Sequence, residues 1–209
     1  MVKKRIPGIR LRECGEPLVD IKLVCPQVII RLDSDRRPRT AYVRRGVARK
    51  VKQALRYLPK GMTFVIRDAW RPMEVQEQIL RTFISKFYRL HPEWTLVQAR
   101  KEACKYVADA YGPYASGHMT GAAIDMRLWK NGQRLPMRSW NLSYQENAHP
   151  YPKKLAPFLR RNRKILYDAL RKAGFSQCHN EFWHWSYGDV HWARRTGRKV
   201  AIYGVVNKR

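Results

Sequence analysis

Asp125 sits inside an otherwise apolar, β-type run, Ala122–Leu128, where a solvent-facing position does not explain it. A carboxylate taken out of water without a partner is strongly disfavoured, so the fold is expected to bring a cation to this strand. Seven residues upstream stands His118, in the stretch Ser116-Gly117-His118-Met119-Thr120-Gly121, whose glycines allow a tight turn before the strand. Histidine nitrogen and aspartate oxygen are both good Zn²⁺ ligands, at about 2.0–2.2 Å. A satisfied structural histidine and an ion-paired aspartate fit these residues equally well.

A second cluster is Glu181-Phe182-Trp183-His184-Trp185. On a helix Glu181 and His184 share a face, whereas on a regular strand they point to opposite faces. The aromatics favour a strand, so joint action requires a bend or bulge here. The alternative is an aromatic core strand with an incidental Glu and His. Arg71 is the third candidate, between Trp70 and Pro72 at a strand-to-helix junction. There a guanidinium can reach into a cleft and bind a carboxylate or a developing oxyanion, although a lone Arg is more often a surface charge.

The chain has 209 residues, with 44% hydrophobic residues and seven Trp, enough apolar material for a full core and too much for disorder. One domain over 1–209 is expected, with the chemistry-bearing motifs within 62–193 and a divergent segment at 1–41. Lys and Arg number 43 against 16 Asp and Glu, a net charge of +27. That excess attracts polyanions such as nucleic acid, anionic membranes or acidic cell-wall polymers without selecting among them. No apolar run approaches the roughly 20 residues of a membrane span. Pro7, Gly8, Arg10 and Arg12 interrupt any signal-peptide core, so a cytoplasmic protein is expected. Cys14, Cys25, Cys104 and Cys178 form no CxxC pair and read as free thiols. Cys178, His179, His184 and His191 match no common structural zinc spacing.

The patterning predicts strands at Val19–Val24 and Val28–Leu32, a charged loop from Asp33 to Arg39 and a helix from Tyr42 to Leu58. Strand Met62–Ile66 follows, then helices Met73–Tyr88 and Leu96–Tyr111, a turn Gly112–Gly117 and strand Ala122–Leu128. Asn131-Gly132 is a turn signal, Arg134–Tyr151 reads as a long loop, and Lys154–Ala173 as a helix ended by Gly174. Strands are expected at Phe182–Tyr187 and Val200–Val206. Helices interleave with strands without a regular βαβ repeat, which predicts an α+β fold.

His118, Asp125 and His184 together make a three-ligand set, leaving a fourth zinc position open for water, the pattern of a catalytic site. Zinc lowers the pKa of such a water from 15.7 to about 7. Glu181, beside one ligand, is placed to move the water's proton to a leaving amine, and Arg71 to stabilise a tetrahedral oxyanion. These are the parts amide hydrolysis needs.

The motifs S-x-H-x-x-G-x-A-x-D (Ser116 to Asp125), E-x-W-H (Glu181 to His184) and D-x-x-R-P (Asp68 to Pro72) resemble those of the D-alanyl-D-alanine dipeptidases, the VanX-type zinc peptidases related to D,D-carboxypeptidases and some phage endolysins. The likeness covers about Met62 to Tyr187 and continues through Ser186–Asp189 and Trp192-Ala193. It implies a small antiparallel sheet flanked by helices, with a zinc-centred cleft. One Zn²⁺ would be held by His118, Asp125 and His184, with Glu181 as general base, Arg71 as transition-state stabiliser and Ser116 helping to bind substrate. The implied reaction is hydrolysis of D-Ala-D-Ala or a related short D-amino-acid dipeptide of cell-wall metabolism.

Two other readings compete. The same centre in a more open cleft would act on longer peptidoglycan stems, as a D,D-carboxypeptidase or endolysin-like peptidase. The Arg-rich segment Ile29–Tyr42, unlike the Tyr/Asn-rich segment of the dipeptidases, favours that reading, and the lack of a signal favours the free dipeptide. A basic nucleic-acid-binding protein would bind DNA or RNA in a salt-sensitive way and hold no zinc. Against it, all five metal and catalytic positions are chemically competent. The basic stretch Trp192–Lys199 is read as a solvated face.

Overall fold

A computed structural model describes residues 8–31, 41–111 and 115–207. The expected loop 33–39, Leu32 and residues 112–114 of the expected turn lie outside the described residues.

In chain order, β1 (Arg10–Leu11) and β2 (Leu18–Asp20) precede α1 (Ile21–Val24), β3 (Ile29–Ile30), β4 (Tyr42–Arg44) and α2 (Arg45–Leu55). Then come β5 (Met62–Asp68), α3 (Met73–Leu90), α4 (Leu96–Ala103), a 3₁₀ turn (Gly117–Thr120), β6 (Ala123–Lys130) and β7 (Gln133–Arg134). The chain continues through α5 (Tyr144–Ala148), α6 (Pro157–Lys172), β8 (Ser176–Gln177), β9 (His184–Ser186), α7 (Val190–Arg195) and β10 (Val200–Ala201). The main sheet has the order β3-β5-β6-β9-β8, with β7 hairpinned onto β6. It is antiparallel apart from the β3–β5 pair. This is the expected α+β class.

Alternation along β5 and β6 fixes what each face of the sheet does. Phe64, Ile66, Ile124, Met126 and Leu128 enter the main core, which also takes Val47, Val51 and Ala54 of α2 and Leu166, Ala169 and Leu170 of α6. Burying each large aliphatic side chain is worth about 1.5–3 kcal/mol, and a slip of one residue would turn the whole set outward. The opposite face, with Val65, Arg67, Asp125, Arg127 and Trp129, therefore has to line a cleft. A second apolar cluster, Leu80, Ala103 and Val107 with Phe83, Phe87 and Tyr106, joins α3 to α4 on the far side of that cleft.

Several elements depart from the sequence expectation. Only the start of Val19–Val24 is strand, because the Asp20 side chain accepts from the Lys22 amide and caps α1. Tyr42–Arg44 pairs antiparallel with Leu18–Asp20, so α2 begins only at Arg45. α4 stops at Ala103, and beyond it the Ala108 carbonyl accepts from Gln76 Nε2 at 2.5 Å. The Arg134–Tyr151 region contains α5, capped reciprocally by Ser143 and Glu146. Among Val200–Val206 only Val200–Ala201 is strand, parallel to β1. Among the described residues, no helix is long and apolar enough to cross a membrane.

Candidate metal centre

His118 is carried by the 3₁₀ turn before β6. Ser116 Oγ accepts from the His118 amide at 3.3 Å, and Gly121 closes the turn at φ 68°. Gly121 suits the position because it tolerates positive φ and because a Cβ there would collide with Leu18. Gly117 is required for space: a Cβ would meet Asp189 Oδ2 at 2.5 Å and the Ala123 Cβ at 2.8 Å.

The turn aims the imidazole, and a backbone carbonyl selects its tautomer. His118 Nδ1 lies 2.8 Å from the Ala69 oxygen. A carbonyl can only accept, so Nδ1 carries the proton and the Nε2 lone pair faces the cleft. Burial pushes His118 below its ordinary pKa despite the opposing charge of Asp125, favouring the neutral ring.

Asp125 and His184 occupy facing positions on β6 and β9. His118 Nε2, Asp125 Oδ1 and His184 Nδ1 form a triangle with edges of 3.0, 3.0 and 3.3 Å. A tetrahedral zinc site with ligands at 2.0–2.2 Å has edges of about 3.3–3.6 Å, so the three atoms suit a single ion. They form a possible metal-binding group. A proton on His184 Nδ1 can serve one edge, whereas a cation satisfies all three. Burial raises the Asp125 carboxyl, but the charges and hydrogen bonds of His118 and His184 outweigh it and hold the group well below the ordinary carboxylate range.

The sequence left open how Glu181 and His184 act together. Glu181 precedes β9, and a turn returns the His184 amide to the Glu181 carbonyl at 3.2 Å. The turn is held by Phe182 N donating to Ala148 O at 2.8 Å, at the end of α5, and by Gln177 Nε2 donating to Phe182 O at 2.9 Å. Glu181 Oε2 thereby lies 4.0 Å from His184 Nδ1. Burial pushes the Glu181 carboxyl up, partly offset by His184.

Arg71 follows β5 and lines the same cleft as Ser116, His118, Asp125, Glu181 and His184. Its amide donates to His118 O at 3.0 Å, its guanidinium pairs with Asp68, and Nη1 donates to Gln76 Oε1 at 2.6 Å. All six candidate residues thus meet in one cavity of about 760 Å³. Ser116 has a visible role as the cap of the His118 turn.

Other residues that shape the cleft were not singled out from the sequence. Asp68 stands three residues before Arg71 in D-x-x-R-P, the one signal that pointed to it. Gln76 gave none beyond its place on the first turn of α3. Arg138 lies 4.7 Å over the Trp183 ring and 5.4 Å over Tyr144. It falls in the stretch read as a loop, where Ser143 and Glu146 were the overlooked helix signal. Burial, with Arg138 and Arg134 nearby, pushes the Arg127 guanidinium down to about 9.

The family model described as D-ala-D-ala dipeptidase matches residues 20–200. The chain is similar to a D-alanyl-D-alanine dipeptidase of Synechocystis sp., 28% identical with 95% of each chain covered. It is also similar to a D-alanyl-D-alanine dipeptidase of Escherichia coli, 29% identical over 59% of this chain and 54% of that one. Among solved structures, a vancomycin-resistance D,D-pentapeptidase VanY in complex with Zn(II) is 15% identical, with 93% of this chain and 96% of that chain covered and a TM-score of 0.48.

Proposed function

The chain belongs to the D-ala-D-ala dipeptidase family of peptidases, and from that premise we propose that it hydrolyses D-Ala-D-Ala, or a related short D-amino-acid dipeptide, with one Zn²⁺ held by His118, Asp125 and His184. The observation that carries this reading is the triangle of three ligand atoms with 3.0–3.3 Å edges, beside Glu181 in a cleft. When bound, zinc supplies a Lewis acid and lowers the pKa of water toward neutrality.

The remaining work falls to the protein. Glu181, its carboxyl raised by burial, accepts a proton from the attacking water and returns it to the leaving amine, a role typically worth about 10²–10⁴ in rate. Arg71 is held on one side by Asp68 and on the other by Gln76. Its charge is felt at both His118 and Glu181, and it stabilises the oxyanion, where loss of a donor costs about 3–4 kcal/mol. Ser116 keeps His118 in register and lends a polar atom to the substrate wall.

The test is release of free D-Ala from D-Ala-D-Ala by zinc-loaded protein, with Glu181→Ala and a chelator-treated sample alongside. Turnover that is lost in both supports the reading. No release from the zinc-loaded wild type overturns it.

A further inference from the structure

Away from the cleft, part of the +27 charge is gathered on the outer side of two helices. From Arg45 to Arg56 every exposed residue is a cation: Arg45, Arg49, Lys52 and Arg56. Steps of four, three and four residues line them up along one side of α2, while Val47, Ala48, Val51 and Ala54 are buried on the other. α6 exposes Arg160, Arg161, Lys164, Arg171 and Lys172, with a single acid, Asp168, which pairs with Lys164 at 2.6 Å. The two helices touch, and Lys172 Nζ lies 4.4 Å over the ring of Tyr57, tying their C-terminal ends together. Both pack on the sheet face that carries Phe64, Ile66, Ile124, Met126 and Leu128, so this basic surface lies opposite the cleft.

Helix stability does not account for the pattern. Like charges one turn apart repel, and cations in a first turn oppose the helix dipole. Yet Arg45 opens α2, Arg160 stands in the first turn of α6, and neither first turn holds an acid. Glu16 does meet the start of α2, but its carboxylate is taken by the Gly46 amide at 2.7 Å and the Tyr203 hydroxyl at 2.6 Å. Among the described residues, no carboxylate forms an ion pair with Arg45, Arg49, Lys52, Arg56, Arg161 or Arg171. Their charge is left for an external anion.

The shape of the surface selects among anions. The stripes Arg45–Arg56 and Arg161–Lys172 each run about 16 Å along helices that pack side by side, typically about 8–10 Å apart. Neither helix projects, as reading a duplex groove requires. Single strands are held on exposed rings, whereas Tyr57 and Tyr167 are half-buried, one under Lys172 and the other against Tyr151 and Trp185. A layer of anionic headgroups asks only for cations spread over one face. Phe158, 54% exposed and one turn before Arg161, adds an apolar side chain of the kind that enters such a layer. We propose that the α2–α6 face docks the protein on an anionic lipid surface, with the cleft turned away from the lipid. This goes beyond the hydrolytic reading and stands or falls separately from it.

The test is co-sedimentation of the full chain with vesicles of phosphatidylcholine alone, or of phosphatidylcholine with about one-third phosphatidylglycerol. One variant removes the α2 stripe, Arg45→Gln/Arg49→Gln/Lys52→Gln/Arg56→Gln. A second removes Arg161→Gln/Lys164→Gln/Arg171→Gln/Lys172→Gln from α6. The control, Lys86→Gln/Arg89→Gln/Lys101→Gln/Lys199→Gln, removes the same number of exposed charges elsewhere. Wild type is expected to prefer the anionic vesicles, each face variant to lose about tenfold in partitioning and the control less than about twofold. Thermal melts confirm that the variants are folded, and release of D-Ala measured without vesicles reports separately on the cleft. Equal binding to both vesicle types, equal loss in the control, or full binding by either folded face variant overturns the proposal. A DNA duplex that displaces the vesicles, and whose own binding falls further in the face variants than vesicle binding does, also overturns it and makes the face a nucleic-acid surface.

Discussion

Asp68 lies opposite Asp125 across β5 and β6, at the register shift between Ile66 and Asp68, and the two carboxylates meet different main partners. Asp125 faces the imidazoles of His118 and His184. Asp68 pairs with Arg71 and accepts the Ala69 amide at 3.0 Å. One sheet position thus supplies a candidate metal ligand, and its cross-strand neighbour holds the candidate oxyanion donor. Asp68→Asn is expected to lower kcat/KM for D-Ala-D-Ala by about 10–100-fold. Zinc affinity is expected to hold, because His118 Nδ1 still has the Ala69 carbonyl. Steady-state kinetics with zinc competition against a chromophoric chelator checks both; joint loss of zinc and activity would mean that Asp68 acts through His118.

Gly117→Ala tests the packing of the turn. The added methyl meets the carboxylate of Asp189, a buried residue whose other oxygen caps α7 through the Trp192 amide at 2.6 Å. Overpacking of this kind costs about 1–3 kcal/mol, which in a chain of this length lowers Tm by roughly 2–12 °C. Because the strained segment carries His118, zinc affinity should fall as well. An unchanged Tm with unchanged zinc binding would show that the turn has room to shift.

How far the site was legible in the sequence depended on how local its causes are. Asp125 announced itself as a carboxylate in an apolar run, and the glycines around His118 marked a turn. The choice of Nε2 as the cleft-facing nitrogen was not legible, because it is made by the carbonyl of Ala69, 49 residues away. Nor was the turn that brings Glu181 to the His184 side of the cleft, since α5 and Gln177 hold it from outside the motif. Tyr42–Arg44 followed a helical period and became strand because Leu18–Asp20 offers a ladder. The arginines of the cleft were visible only as part of the +27 charge. Alternation placed Arg127 on the ligand face of β6, but pairing of β7 was needed to bring Arg134 beside Trp129.

Cys25 gives the chain a distinct alkaline response. The thiol is buried, and burial pushes it up to about 11 from an ordinary value near 9. Above pH 9 the unfolded chain gives up this proton while the native chain keeps it, so the unfolded state binds fewer protons and stability falls with rising pH. The contribution is fully present below pH 9 and is lost through about pH 11, on the order of 2–3 kcal/mol. Denaturant melts across this window should therefore show a shallower decline for Cys25→Ala than for wild type, whatever the offset from the small cavity. Equal slopes would mean that the thiol titrates normally in the folded chain.

Removing the metal should be visible in stability as well as in turnover. The His118–Asp125–His184 triangle brings a carboxylate and two imidazoles within 3.0–3.3 Å, an arrangement that an unfolded chain does not preserve. An ion that binds only the native state adds RT ln(1 + [Zn²⁺]/Kd), about 2.7 kcal/mol at one hundred times Kd. In a chain of this size that raises Tm by roughly 5–11 °C over the chelator-treated sample. Asp125→Asn removes the anionic ligand while nearly keeping its volume, so the zinc-dependent rise should largely disappear even if the variant's metal-free Tm is close to wild type. His184→Ala should abolish it too. A rise of the same size in both variants would locate the stabilising ion outside this triangle, and the hydrolytic assignment would have to be rebuilt around another site.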